Sequence, residues 1–262
     1  MIYLTMKHSG RNPQFTEITD PDFRYTVSAN PYARFLEKLP RRPDGKTYVH
    51  LDQEAESKRG LWGAQFALSA ERAQPIHLEI GCNAGHWILA QAAKDPTAHY
   101  LGIDWKFKAI HRAAEKAHAK DLQNLMFIRG HAGRVRFLFS PGELNSVRVF
   151  FPDPWLKRAQ RKNRLLSSLF FAHLHEVVTP GGFLEFRTDQ REYFDDVLKM
   201  MEPGLSRLWR ITERTHDRHH GVDKSVFLKT VAPPEVTLFE KLFIKDGVPI
   251  CMLRAERLPS NL

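Results

Sequence analysis

Asp153 lies between Pro152 and Pro154, and just beyond it Lys157, Arg158, Arg161, Lys162 and Arg164 place five cations within eight residues. A carboxylate fixed by two prolines can orient a reacting group or stabilise positive charge that develops on it. The cations, with the amphipathic Trp155 beside them, suit a polyanion whose bases stack, such as RNA, better than a small metabolite. Standing alone, the same run would read as a solvated charge cluster ahead of a helix. What precedes it argues otherwise. Val147, Val149, Phe150 and Phe151 are β-branched or aromatic, and their near-continuous apolarity predicts a parallel strand covered on both faces. Neither proline can donate a ladder hydrogen bond, so the strand ends at Asp153, at the carboxyl edge where open α/β sheets bind ligands.

A second pair of acids lies upstream. Glu79 precedes the loop Gly81-Cys82-Asn83-Ala84-Gly85, and Asp104 ends the following apolar stretch. The loop matches neither G-x-G-x-x-G nor a phosphate loop, because it lacks G-K-[ST] and its middle residue is Asn83, a type that visits left-handed backbone at some cost. The missing G-x-G-x-x-G speaks against a nicotinamide-dependent oxidoreductase. A carboxylate closing the second strand of such a fold binds a ribose diol, and Glu79 is placed to face an ammonium. S-adenosylmethionine carries both groups and has no pyrophosphate. An acid after a strand is also common at ordinary turns.

Positioning these acids requires strands and helices in alternation. Ile76, Leu78 and Ile80 make one strand, Tyr100–Asp104 a second, Leu125–Ile128 a third, the stretch before Asp153 a fourth and Phe183–Phe186 a fifth. Helices are predicted over Trp87–Lys94, Lys106–Lys120, Leu165–Val178 and Glu192–Met201, with Pro180-Gly181-Gly182 as a stop and turn. That order implies a doubly wound parallel sheet with right-handed crossovers. Val236–Ile244 and Val248–Leu253, separated by Lys245-Asp246-Gly247, read as an antiparallel hairpin. The expected fold is therefore α/β and Rossmann-like, a mostly parallel seven-stranded sheet closed by a C-terminal antiparallel hairpin, the class I methyltransferase arrangement. Residues 1–74 carry no sustained period beyond a short helix at Tyr32–Leu39. They are expected to form a partly irregular, basic extension ahead of a methyltransferase domain at 75–262.

With 39 Lys and Arg against 30 Asp and Glu, the chain carries +9 over 262 residues, a field that attracts polyanions. No run approaches the length of a membrane span, and Met1–Gly10 has no apolar signal core, so a cytoplasmic protein without membrane attachment is expected. Two cysteines, Cys82 and Cys251, are too few for a disulfide framework or a thiolate zinc site. His216, His219 and His220 have no matching acid and cysteine pattern and read as a solvent-facing loop, so no metal is expected. His173 and His175 read as partly buried helix residues. Monomer and homodimer are both open.

Leu78-Glu79-Ile80-Gly81-x-x-x-Gly85, Leu101-Gly102-Ile103-Asp104, Phe150-Phe151-Pro152-Asp153-Pro154-Trp155-x-Lys157, Thr188-Asp189 and Thr237-x-Phe239-Glu240 together resemble the bacterial tRNA (guanine-N7)-methyltransferase family. The resemblance runs from about Ile76 to Leu258, and the Phe-Phe-Pro-Asp-Pro-Trp element is its most specific part. It implies methyl transfer from S-adenosylmethionine to N7 of guanosine 46 in the variable loop of tRNA. It further implies that Glu79, Gly81, Gly85, Asp104, His131 and Asp153 line the cofactor site, with Asp153 also catalytic. Lys157, Asp189, Thr237, Phe239 and Glu240 would meet the guanosine, and Arg158, Arg161, Lys162 and Arg164 the tRNA backbone.

Three positions depart from the family pattern: Asn83 replaces a loop glycine, Asp104 a glutamate, and His131 an aspartate or asparagine. A neutral imidazole at 131 still offers one acceptor nitrogen to the adenine amino group. These departures keep open a tRNA-binding relative that has lost catalysis. The chemistry itself asks little of an acid or base. Guanine N7 has a lone pair and no proton, so attack on a sulfonium methyl needs placement, worth roughly 7 to 11 kcal/mol of barrier, and a carboxylate to stabilise the cationic purine.

Overall fold

The computed structural model describes residues 38, 39, 41–66, 74–221 and 236–259. Eight strands form one sheet in the order β1-β4-β3-β2-β5-β6-β8-β7. The strands are β1 (Val49–Leu51), β2 (Ile76–Ile80), β3 (His99–Asp104), β4 (Leu125–Arg129), β5 (Leu144–Phe150), β6 (Val178–Thr188), β7 (Trp209–Thr215) and β8 (Cys251–Arg257). β1 to β6 pair in parallel, while β8 runs antiparallel to both β6 and β7. The helices are α1 (Asp52–Glu56), α2 (Trp62–Phe66), α3 (His86–Lys94), α4 (Phe107–Ala119), α5 (Val135–Leu138), α6 (Ser168–Val177), α7 (Arg191–Met201) and α8 (Leu238–Lys245).

β2 to β6 are Leu-, Ile-, Val- and Phe-rich because helices cover both faces of the sheet. Leu78, Leu101, Met126, Val147 and Leu184 are all buried in it. Strand order reverses between β2 and β5, which opens a crevice at the carboxyl ends of the central strands. The expected doubly wound parallel sheet is present, as is an antiparallel C-terminal pair.

Several details differ from expectation. The sheet has eight strands rather than seven, because Val49–Leu51, read as part of an extension, pairs with β4 at the edge. The segment behind it is integral to the core. Trp62 is fully buried and donates Nε1–H to the carbonyl of Leu138 at 2.8 Å, and Glu143 accepts from the backbone N–H groups of Gly60 and Trp62 at 2.8 and 3.0 Å. The helix expected over Tyr32–Leu39 falls almost wholly outside the described residues.

The C-terminal pair is β7 with β8, and Val236–Ile244 is mostly helix instead of a strand. A continuous apolar run does not distinguish the two by periodicity. The deciding signal is Thr237-x-x-Glu240, a capping box in which the Thr237 hydroxyl accepts from Glu240 N–H and Glu240 accepts from Thr237 N–H, at 3.1 and 3.0 Å. Lys245-Asp246-Gly247 ends that helix, and Gly247 takes the left-handed conformation with φ 74. Pro180-Gly181-Gly182 lies inside β6, where the register with β5 shifts, rather than breaking the chain between elements.

Candidate active site

Five acceptor or charged positions expected from the sequence come together along one edge of the sheet. Glu79 is the penultimate residue of β2, Asp104 lies at the end of β3, His131 just past β4, Asp153 just past β5 and Asp189 just past β6. Parallel pairing brings them there, since every one of these strands points its carboxyl end the same way.

The loop after β2 is drawn toward β3 by hydrogen bonds from Gly81 and Cys82 N–H to the carbonyl of Ile103, at 2.8 and 3.2 Å. Gly81 and Gly85 have φ 76 and 73, conformations that favour glycine. A Cβ at Gly85 would press on Leu89 and Ala113 at 3.1 and 3.2 Å, whereas space over Gly81 is open. Asn83 takes φ 49, so it fills the left-handed position with an amide side chain. Asp104 braces the loop, its two oxygens accepting from Asn83 N–H at 3.0 Å and Lys106 N–H at 2.9 Å. Burial pushes the Asp104 carboxyl above its usual range, against those bonds.

Glu79 is 5% exposed, and its Oε2 has no hydrogen-bond partner among the described residues. Burial raises its pKa to about 8, against the attraction of Arg148 and a backbone hydrogen bond from Ile88. An acid in that state gains by meeting a cation. The open space over Gly81, the orphaned Glu79 oxygen, and the lone pairs left on Asp104 fit the methionyl and ribose parts of S-adenosylmethionine.

His131 departs from the acceptor role expected for it. Its Nδ1 accepts from Gly133 N–H at 3.0 Å, so the neutral ring carries its proton on Nε2 and presents a donor. Burial, with Arg134 adding to it, lowers its pKa to about 4. Trp105 was not anticipated. Immediately after Asp104 it is 37% exposed at this edge, and a tryptophan directly following a strand-ending acid was a usable signal.

The turn holding Asp153 is bracketed by Phe151 and Trp155, whose φ values are 50 and 42. Left-handed backbone costs a non-glycine residue roughly 1 to 2 kcal/mol, and strain of this kind gathers at functional sites. Phe151 N–H donates to the carbonyl of Arg187 at 2.8 Å, which pins the turn to β6. Asp153 is exposed, as are Lys157, Arg158 and Lys162. Asp189 accepts from the Gln190 side-chain amide.

The basic arm is not uniform. Arg161 is committed to Glu192 and Asp196. Arg164 does not stand as a surface cation for phosphate. Its side chain is 7% exposed, it pairs with Asp196 at 2.8 Å, and it stacks over Tyr193 at 4.5 Å.

Glu240 and Thr237 also depart from a direct role at the guanosine. Glu240 is fully buried and pairs with Arg187 at 2.8 Å, His219 at 3.1 Å and Arg218 at 3.3 Å. Burial pushes its carboxyl up, but His219, Arg187 and the Thr237 N–H more than offset this and hold it below the usual range. Thr237 spends its hydroxyl on the helix cap, so these two residues fix α8 to the sheet. His219, expected in a solvent-facing loop, is buried against Glu240 instead. Phe239 remains 49% exposed, and its ring centroid lies 6.1 Å from that of Phe151. α8 thereby places an aromatic face beside the Asp153 turn.

The fold and this edge define a class I methyltransferase that uses S-adenosylmethionine. The family described as "Putative methyltransferase" matches residues 73–250. A tRNA (guanine-N(7)-)-methyltransferase of Lachnoclostridium phytofermentans is 31% identical over 84% of this chain and 98% of that protein. One of Rubrobacter xylanophilus is 32% identical over 66% of this chain and 73% of that protein. Among solved structures, a 16S rRNA (adenine(1408)-N(1))-methyltransferase from Catenulisporales acidiphilia, crystallised with SAM, superposes with a TM-score of 0.52 at 20% identity, covering 76% of this chain and 91% of that one. The chain belongs to the tRNA (guanine-N7-)-methyltransferase family.

Proposed function

We propose that this protein transfers the methyl group of S-adenosylmethionine to N7 of guanosine 46 in the variable loop of tRNA, with Asp153 as the carboxylate that meets the guanine. The observation that carries this reading is the placement of Asp153. It is exposed on a strained turn that adjoins the sheet edge bearing Glu79 and Asp104 on one side and the exposed cations Lys157, Arg158 and Lys162 on the other.

The bound methyl donor supplies an electrophilic sulfonium methyl. In this reading Glu79 holds the donor's ammonium, Asp104 its ribose hydroxyls, and His131 donates Nε2–H to a ring nitrogen of the adenine. Asp153 and Asp189 accept from the Watson–Crick edge of the guanine, which turns N7 toward the methyl and stabilises the charge that the purine gains. No group is needed to take a proton from N7. Phe239 and Phe151 offer aromatic surface on which a base can stack, and Lys157 lies within reach of the same nucleoside.

Arg158 and Lys162 neutralise backbone phosphates, and a net charge of +9 favours encounter with tRNA. Among the described residues no helix is long and apolar enough to cross a membrane, and action on tRNA supports a cytoplasmic location. The test is incubation with radiolabelled methyl donor and tRNA, followed by nucleoside mapping; label in any nucleoside other than 7-methylguanosine contradicts the assignment.

A further inference from the structure

The turn that carries Asp153 is short of backbone donors. Two of its residues are prolines, which lack N–H groups, and the residues flanking the Pro-Asp-Pro unit take left-handed backbone. One anchor is the bond from Phe151 N–H to Arg187 on β6. A second is Arg164, whose Nε–H donates to the carbonyl of Pro154 at 2.7 Å, one residue past Asp153. Arg164 is itself held from behind. Its Nη1 donates to Asp196 Oδ2 at 2.8 Å, its guanidinium lies over the Tyr193 ring, and the Tyr193 hydroxyl accepts from Leu166 N–H at 3.1 Å. Both Asp196 and Tyr193 belong to α7. The remaining nitrogen, Nη2, is buried without a hydrogen-bond partner among the described residues, and with the whole side chain 7% exposed little of the guanidinium is left to reach a phosphate.

We infer that Arg164, backed by Asp196, is a positioning residue that sets the Asp153 turn through the carbonyl of Pro154, and that it is not a ligand of the tRNA backbone. This rests on the reading of Asp153 as the carboxylate that meets the guanine. The planar fork of arginine spans Pro154 and Asp196 at once, which a lysine ammonium cannot reproduce from one point. A displacement of the turn by an ångström is enough to cost about a hundredfold in rate.

The test measures steady-state methylation over a range of methyl-donor concentration at saturating tRNA, and the salt dependence of tRNA binding, for Arg164→Lys, Asp196→Ala, Asp196→Asn and Asp153→Asn. Arg164→Lys and Asp196→Ala are expected to lower kcat by about ten- to a hundredfold, with KM for the methyl donor held within about twofold and the salt slope unchanged. Asp196→Asn keeps an acceptor for Nη1 and should recover most of kcat, which a loss of general stability would not produce. Asp196 is 36% exposed in its side chain, so its variants carry the test if Arg164→Lys does not fold. Wild-type kcat in folded Arg164→Lys or Asp196→Ala overturns the inference. So does a flattened salt slope with kcat unchanged, which would return Arg164 to phosphate binding. Wild-type rates in Asp153→Asn would overturn the reading beneath it instead.

Discussion

Gly133 donates its backbone N–H to Nδ1 of His131 at 3.0 Å, which assigns the proton of the neutral imidazole to Nε2. With a pKa lowered to about 4 by burial and by Arg134, the ring is neutral throughout the physiological range. Cofactor affinity should therefore show the same pH dependence between pH 6 and 8 in wild type and in His131→Asn. The unfolded ring titrates near 6.5, so the unfolded state binds more protons between that value and 4, and stability falls as pH falls through this window. His131→Asn should lose less stability there. Calorimetric titration with S-adenosylmethionine and thermal unfolding across pH 4 to 8 check both statements. A pH profile between 6 and 8 that changes with the substitution would contradict a ring that stays neutral over that range.

Glu79, with its pKa raised to about 8 by burial, is mostly protonated at pH 7 in the free protein. An ammonium brought to it favours the carboxylate, so cofactor binding at pH 7 should release about one proton. Affinity should rise with pH from 6 toward 8 as that proton is lost in advance. Calorimetry in buffers of different ionisation heat measures the release directly. Glu79→Gln should abolish it and weaken binding by about ten- to a hundredfold, the loss of one hydrogen bond to a charged group. Binding without proton release in wild type would remove Glu79 from the ammonium site.

Much of the fold was legible because each buried strand is a short apolar run closed by a turn. The Pro-Asp-Pro unit after β5 and the acid ending β3 placed the edge of the site with them. α8 was misread because an apolar run has no decisive period, although the Thr237-to-Glu240 cap was written in the sequence. β7 was missed despite the inward alternation of Trp209 and Ile211, and three-residue β1 was too short to announce itself. The roles of Arg164 and Glu240 could not be read locally. A basic run reports charge, while burial depends on partners such as Asp196, 32 residues further along, and Arg187, 53 residues before Glu240.

Arg158 and Lys162 are exposed and make no ion pair among the described residues, unlike Arg161 with its two acids. Neutralising Arg158 and Lys162 together should flatten the slope of log affinity for tRNA against log salt by up to about 1.4 to 1.8, the lower value for single-stranded and the higher for duplex-like contacts. Lys157→Ala should instead depress turnover at saturating tRNA more than it alters the slope. Filter-binding titrations from low to moderate salt, paired with single-turnover rates, separate the two. An unchanged slope in the double variant would reduce the arm to a solvated start of α6.

The account turns on Asp153 as the carboxylate that orients and stabilises the methylated guanine. The most direct measurement is the single-turnover rate of 7-methylguanosine formation at position 46 of a tRNA transcript by wild type and Asp153→Asn, with tRNA binding measured alongside. The exposed, nearly isosteric amide should leave folding and tRNA affinity intact while the rate falls about a hundred- to a thousandfold, the cost of removing one preorganised electrostatic partner. A variant that forms 7-methylguanosine within about threefold of the wild-type rate, no more than an ordinary surface change produces, would contradict the central role of Asp153.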